Sequence, residues 1–232
     1  MFVCVLKVVD EGAFVGVGGQ SVRELSIRSS HVTDAHLPAL LSLTKLRVLD
    51  IALNNKVTSV DQLLDALPSL EQLDASSAAV SSLGRVAYRV TSSTVRVLNL
   101  ADNPLVDVAT DALLGLTALE DLRLDGSTLT LDNSSFVSQR TSLRTLSLRR
   151  CNLTLSPWSA IARLGALQTL YMSQVHRSTY LLITKTIKVG GHPIKANRPN
   201  SDGCKLAPPL RIYSLLISTK ERRHSCHDIY LL

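Results

Sequence analysis

Aromatic residues are scarce in this chain, with one tryptophan, three phenylalanines and five tyrosines among 232 residues. Stacked rings cannot fill a core of this size, so aliphatic side chains, chiefly leucine, must do so. Cysteine is scarce as well. Cys4, Cys151, Cys204 and Cys226 stand far apart with no Cys-x-x-Cys pair, which excludes a dense disulfide framework and favours a reducing, cytoplasmic setting. No run approaches the roughly 20 apolar residues that span a bilayer. The opening MFVCVLKVVDEGAF is interrupted by Asp10 and Glu11 and shows no small-residue cleavage site, so residues 1–21 are expected to form a capping strand rather than a signal peptide. The Gly-x-Ser-x-Gly elbow, the P-loop and the His-Glu-x-x-His motif are all missing, and neither an enzyme nor a cofactor is expected.

What the chain has instead is a repeat. VRELSIRSSHV from Val22, LRVLDIALNNK from Leu46, LEQLDASSAAV from Leu70, VRVLNLADNPL from Val95, LEDLRLDGSTL from Leu119, LRTLSLRRCNL from Leu143 and LQTLYMSQV from Leu167 start 24, 24, 25, 24, 24 and 24 residues apart. Positions one, four and six are apolar in every copy, with Ala75 the one small residue among them. Alternation over positions three to seven predicts a short strand with one buried face. Position nine is Asn54 and Asn103 in two copies, Cys151 in a third, and Ser30, Ala78, Ser127 and Val175 elsewhere. An inward amide there can bond backbone groups at the bend, so the expected ladder is patchy. A second apolar group closes most copies at spacings of three, as in Leu40, Leu43 and Leu46 or Ile161, Leu164 and Leu167. That spacing predicts a short helical or 3₁₀ return.

On these residues the chain resembles the leucine-rich repeat family, whose pattern LxxLxLxxNxL followed by a variable return is matched over roughly residues 20–175. The resemblance implies an α/β fold: a right-handed solenoid of about seven coils, a horseshoe arc with a parallel sheet on its concave face and short helical or 3₁₀ segments on its convex face. A single coil cannot bury its own apolar side, so stacking must supply a continuous leucine core. The expected organisation is a cap over 1–21, the solenoid over 22–175, and a non-repeat segment over 176–232.

Three places break the pattern. The third copy carries Ala75, many serines and one extra residue before Val95, so its strand is expected to pack loosely. The second puts Lys56 where its neighbours have Leu or Val, and Val57 is expected to turn inward in its stead. After Ser173 the repeat stops. Two apolar runs, 180–189 and 210–217, are candidate strands in a tail that either covers the last coil or is an unrelated end. Charge follows the same boundary: residues 1–175 hold 15 basic against 16 acidic side chains, and residues 176–232 hold ten against three.

Side chains at positions three, five and seven are expected on the concave face, the default binding surface. Asp50, Asp74, Asp102, Asp121 and Asp125 give its middle an acidic bias, with Asn99 in the same position-five column, and Arg144, Arg149 and Arg150 form a basic cluster on the sixth coil, with Arg123 between and able to pair with either neighbouring acid. Tyr171 is the best anchor, a large contact with a polar tip. Opposed charges of this kind would orient a protein partner. Noncovalent protein recognition, as adaptor or scaffold, is the leading expectation, and the ectodomain of a surface or secreted receptor is the alternative within binding. Nucleic-acid association through dispersed tail cations such as Lys185, Lys188, Arg198, Arg222 and Arg223 would be weak and salt-sensitive. Cys204, His224, Cys226 and His227 meet no standard zinc spacing, so no metal is expected. The sequons at Asn133 and Asn152 matter only in a secreted chain.

Overall fold

The computed structural model describes residues 21–84, 94–108, 113–131, 135–153 and 158–172, with the short strands His176–Arg177, Lys188–Val189, His192–Pro193 and Asp228–Tyr230. Each copy of the repeat contributes one three-residue strand: β1 (Glu24–Ser26), β2 (Val48–Asp50), β3 (Gln72–Asp74), β4 (Val97–Asn99), β5 (Asp121–Arg123), β6 (Thr145–Ser147) and β7 (Thr169–Tyr171). They pair in chain order, all parallel, each residue facing its equivalent in the next copy, as Leu25↔Leu49, Leu73↔Leu98 and Leu122↔Leu146 show. Asp228–Tyr230 continues the sheet antiparallel to β7, with Leu170 opposite Ile229. The far tail thus supplies a strand against the last repeat, whereas the cap up to residue 20 and the run 210–217 lie outside the described residues.

The strands are short because the backbone turns a corner after position six. At that position the amide donates to the next coil: Ile27 to Asp50 at 2.8 Å, Ala75 to Asn99 at 2.9 Å, Leu148 to Tyr171 at 2.8 Å. Position eight then flips into left-handed backbone in six copies: Ser29, Leu53, Ser77, Asp102, Gly126 and Arg150 have φ of 54, 60, 53, 57, 78 and 56°. The flip aims the amides of the first five at the following coil's carbonyl, as in Leu53 to Ser76 at 2.9 Å and Asp102 to Asp125 at 2.7 Å. Such a φ costs a residue with a Cβ about 1–2 kcal/mol. Leu53 bears that cost with its side chain 47% exposed, so Leu53→Asn, which tolerates the conformation better, should stabilise the protein by about 0.5–1 kcal/mol in urea unfolding. An unchanged or lower midpoint would show that the leucine is anchored by packing.

Positions one, four and six point into one continuous core. Leu46, Leu49, Ile51, Leu70, Leu98, Leu100, Leu122, Leu124, Leu146 and Leu148 are fully buried, and the second apolar group meets them from behind through Leu40, Leu43, Leu64, Leu67, Leu116 and Leu164. The return is helical where described in four copies: a 3₁₀ turn Asp34–His36 leading into α1 (Leu37–Leu40), then α2 (Asp61–Ala66), a 3₁₀ turn Val137–Gln139, and α3 (Trp158–Ile161). Small parallel strands follow the corner as well, Ser82–Leu83 beside Asp107–Val108 and Thr128–Leu129 beside Asn152–Leu153.

The third copy keeps its register on both sides. Ala75 shortens the side chain but not the backbone ladder, and the extra residue falls between Leu83 and Val97, since Ser82↔Asp107 and Gln72↔Val97 carry the same offset. In the second copy Val57 is fully buried and Lys56 exposed. The amide of Val57 reaches both Asn54 and Ala78 carbonyls at 3.1 Å, which holds Val57 inward in place of the outward Lys56.

Candidate functional site on the outer face of the sheet

With positions four and six directed inward, the pleat places three, five and seven on the opposite face. Much of the acidic row at position five is engaged in shaping the corner. Asp50 accepts from the Ala52 amide at 3.0 Å and from Ser26 Oγ at 3.1 Å, with Arg28 3.7 Å away. Asp74 accepts from the amide and hydroxyl of Ser76 at 2.9 and 2.7 Å, and Asn99 accepts from the Ala101 amide at 3.1 Å. Each is a local turn in which the side chain bonds the backbone two residues on.

Further along, Arg123 pairs with Asp121 of its own strand, at 3.0 and 3.2 Å, rather than with an acid on either neighbouring coil. That hydrogen bond is the main reason its pKa is raised, with Asp125 and Asp74 adding attraction. Asp125 accepts from Ser147 Oγ and from the Arg149 amide, both at 2.6 Å. The Arg149 guanidinium in turn lies 4.2 Å from the centre of the Tyr171 ring, a cation–π contact worth about 0.5–1 kcal/mol at an exposed site. Asp125, Ser147, Arg149 and Tyr171 therefore form one connected group across the fifth, sixth and seventh coils.

The sixth-coil arginines do not form a single patch. Arg144 precedes β6 and lies 3.6 Å from Glu120, while Arg149 and Arg150 follow the strand. Arg150 reaches over the fifth coil to Asp102 at 2.7 Å. Only a glycine lies beneath that bridge: a Cβ on Gly126 would stand 3.0 Å from Asp102 Oδ1.

One feature went unread in the sequence. Position two runs Arg23, Arg47, Glu71, Arg96, Glu120, Arg144, a nearly alternating row at the start of the strands. Arg47 clasps Glu71 through two hydrogen bonds of 2.9 Å, and Arg96 bonds Glu120. The signal was available, since residues one repeat apart are neighbours in a parallel sheet. A second feature, this one buried, is Gln139, whose amide donates to the carbonyls of Leu113 and Leu116 at 2.6 and 3.0 Å.

Cys204, His224, Cys226 and His227 lie outside the described residues, as do Asn133 and the tail cations Lys185, Arg198, Arg222 and Arg223. Among the described residues no group of His, Cys, Asp and Glu could hold a metal ion, and no helix is long and apolar enough to cross a membrane. Burial pushes the Cys151 thiol up to about 12, so it is a packing group rather than a nucleophile.

No family model matches the sequence and no curated protein matches it. Among solved structures the chain is similar to a secreted internalin-like protein from Listeria monocytogenes, at 18% identity and a TM-score of 0.58, with 69% of this chain and 55% of that one covered. It spans little more than half the length of that protein, and at this identity the likeness is one of fold. Together with the stacked parallel strands, it supports a leucine-rich-repeat-like α/β solenoid.

Proposed function

We propose that the protein recognises another protein noncovalently through the outer face of its sheet, the concave side of a right-handed arc of seven coils, and acts as a cytoplasmic adaptor or scaffold. The observation that carries this reading is the group built on Tyr171: Arg149 stacks on the ring at 4.2 Å, and Asp125 holds the Arg149 backbone at 2.6 Å. An aromatic and a cation already fixed in place lose little side-chain freedom on binding, so more of the contact energy remains as affinity. Tyrosine and arginine are also the residues in which binding energy concentrates. Asp121 and Arg123, both on the fifth coil, one coil from Arg149 and two from Tyr171, would set the orientation of the partner. The widely spaced cysteines support the cytoplasmic setting. The fold likeness to a secreted protein favours an ectodomain as the second reading, decided by whether the transcript encodes a leader upstream.

The test is affinity capture from cell extract with the full chain. A discrete protein retained by wild type, and lost with Arg149→Glu combined with Tyr171→Ala, is the expected result. Both residues sit at the surface side of the sheet, and an unchanged urea midpoint would confirm that the variant folds. Retention by the variant would move recognition off this face.

A further inference from the structure

We infer that the starts of the first three strands carry a receptor groove for a carboxylate-rich segment of the protein partner. The inference deepens the proposed recognition role by naming the chemistry of what is recognised.

From Arg47 onward the position-two row alternates in sign, and every carboxylate in it has a guanidinium: Arg47 on Glu71, Arg96 and Arg144 on Glu120. At the beginning of the row the alternation fails. Arg23 precedes β1 where a carboxylate would complete the pattern, directly beside Arg47, whose amide donates to the Arg23 carbonyl at 2.7 Å. Neighbouring parallel strands lie about 4.8 Å apart, so two guanidinium groups leave adjacent positions, and the nearest acid of the row, Glu71, stands on the far side of Arg47. Lys45 adds a third cation two residues before Arg47. Among the described residues neither Arg23 nor Lys45 has an ion pair or a side-chain hydrogen bond, and both are exposed.

These cations line a shallow, open groove of about 360 Å³ together with Pro68, Ser69, Glu71 and Thr94. Its three cations and one acid leave a local excess of two positive charges. An incoming carboxylate at Arg23 would restore the alternation, and a second beside Lys45 would neutralise the remainder. Arginine presents a planar fork that matches a carboxylate with two parallel hydrogen bonds. The lining holds no aromatic ring on which a nucleobase could stack, and the Glu71 carboxylate would repel an evenly spaced phosphate backbone. An acidic peptide, whose charges are separate and can straddle Glu71, fits this distribution better than a nucleic acid. The groove opens beside the starts of β1 to β3, so a segment crossing the outer face can end in it.

The experiment is fluorescence anisotropy with the full chain and three labelled probes: a ten-residue peptide containing four glutamates, the same peptide with glutamines in their place, and an oligothymidylate of equal charge. The glutamate peptide should bind, the glutamine peptide should not, and Arg23→Ala with Lys45→Ala should weaken binding roughly tenfold. Arg144→Ala, in the same row but already engaged by Glu120, should leave it within about twofold. Oligothymidylate affinity should be the same in the double variant as in wild type, any binding then belonging to the tail. No binding of the glutamate peptide, equal binding by the double variant, or an equal loss of the oligonucleotide would overturn the inference. Its failure is separable from that of the recognition role: capture abolished by the Arg149 and Tyr171 changes, with peptide binding indifferent to Arg23 and Lys45, removes the groove alone. Peptide binding that needs Arg23 and Lys45, with capture indifferent to the outer face, leaves the groove and removes the face.

Discussion

Leu122→Asp is expected to leave no stably folded protein at neutral pH. Leu122 is fully buried in the interior strand β5, facing Leu98 on one side and Leu146 on the other. Truncating a buried leucine costs about 2–5 kcal/mol, and an unpaired carboxylate in the same place adds several more. The sum approaches the whole stability of an ordinary domain, about 5–15 kcal/mol. Because each coil is held by its neighbours, the damage should extend into β4 and β6 rather than stay local. The measurement is urea unfolding followed by far-ultraviolet circular dichroism, with Leu122→Asn beside it to remove the charge while keeping a polar group. The asparagine variant should retain some folded baseline. The aspartate variant should recover part of its signal as the pH falls, because burial favours the protonated carboxyl and the penalty fades once it is neutral. Arg123→Ala, one residue along and directed outward, should change stability by no more than about 0.5 kcal/mol. An aspartate curve that overlays wild type would mean that Leu122 does not point into the core and that the strand register is wrong.

The contrast between Leu122 and Arg123 shows what the sequence made legible. The leucine period carries the fold, because every inward position must be apolar for coils to stack, and the register read from it is the register observed at Leu25↔Leu49 and Leu146↔Leu170. The corner was not legible. Ser29, Leu53, Ser77, Asp102 and Arg150 share a left-handed backbone but no chemistry, and only Gly126 signals it by residue type. Adjacency along the chain also misled: Arg144 and Arg149 appear as neighbours, yet an extended strand stands between them and sends each to a different partner. Adjacency across the sheet, one repeat apart, is the relation that organises charge here, as Arg47 with Glu71 shows. The position-five acids were read as free binding groups, although the Asp-x-Ala and Asp-x-Ser spacing is itself a turn signal. Tyr171 was identified by residue type, but its stacking on Arg149 depends on which side chains two coils bring together.

The position-nine row carries the second large effect. What looked like a patchy ladder is an alternation: Asn54 accepts from the Ser30 and Val32 amides at 3.0 Å and donates to the Ile27 and Ile51 carbonyls at 2.9 and 2.7 Å. Two coils later Asn103 accepts from Ala78 and Val80, both at 2.9 Å, and donates to Ala75 and Leu100 at 2.8 and 2.9 Å. Each asparagine ties an even coil to the odd one before it, where a small residue, Ser30 or Ala78, leaves room. Asn103→Ala strips four buried backbone groups of this partner at once, and at about 1–3 kcal/mol for each unsatisfied group, partly relieved by relaxation and water, the expected loss is about 3–5 kcal/mol. The sixth coil offers the converse. Cys151 holds the same place and makes one of these bonds, from Sγ to the Leu124 carbonyl at 3.1 Å. Cys151→Asn would keep that donor, its amide would also reach the Leu148 carbonyl, and its oxygen would accept more strongly than sulfur from the Ser127 amide that already bonds the Cys151 side chain, for an expected gain of about 1 kcal/mol. Urea unfolding of both variants decides the point. A small loss at Asn103 would mean that water replaces the amide without cost, and a destabilised asparagine at 151 would mean that the fifth coil has closed around the smaller thiol.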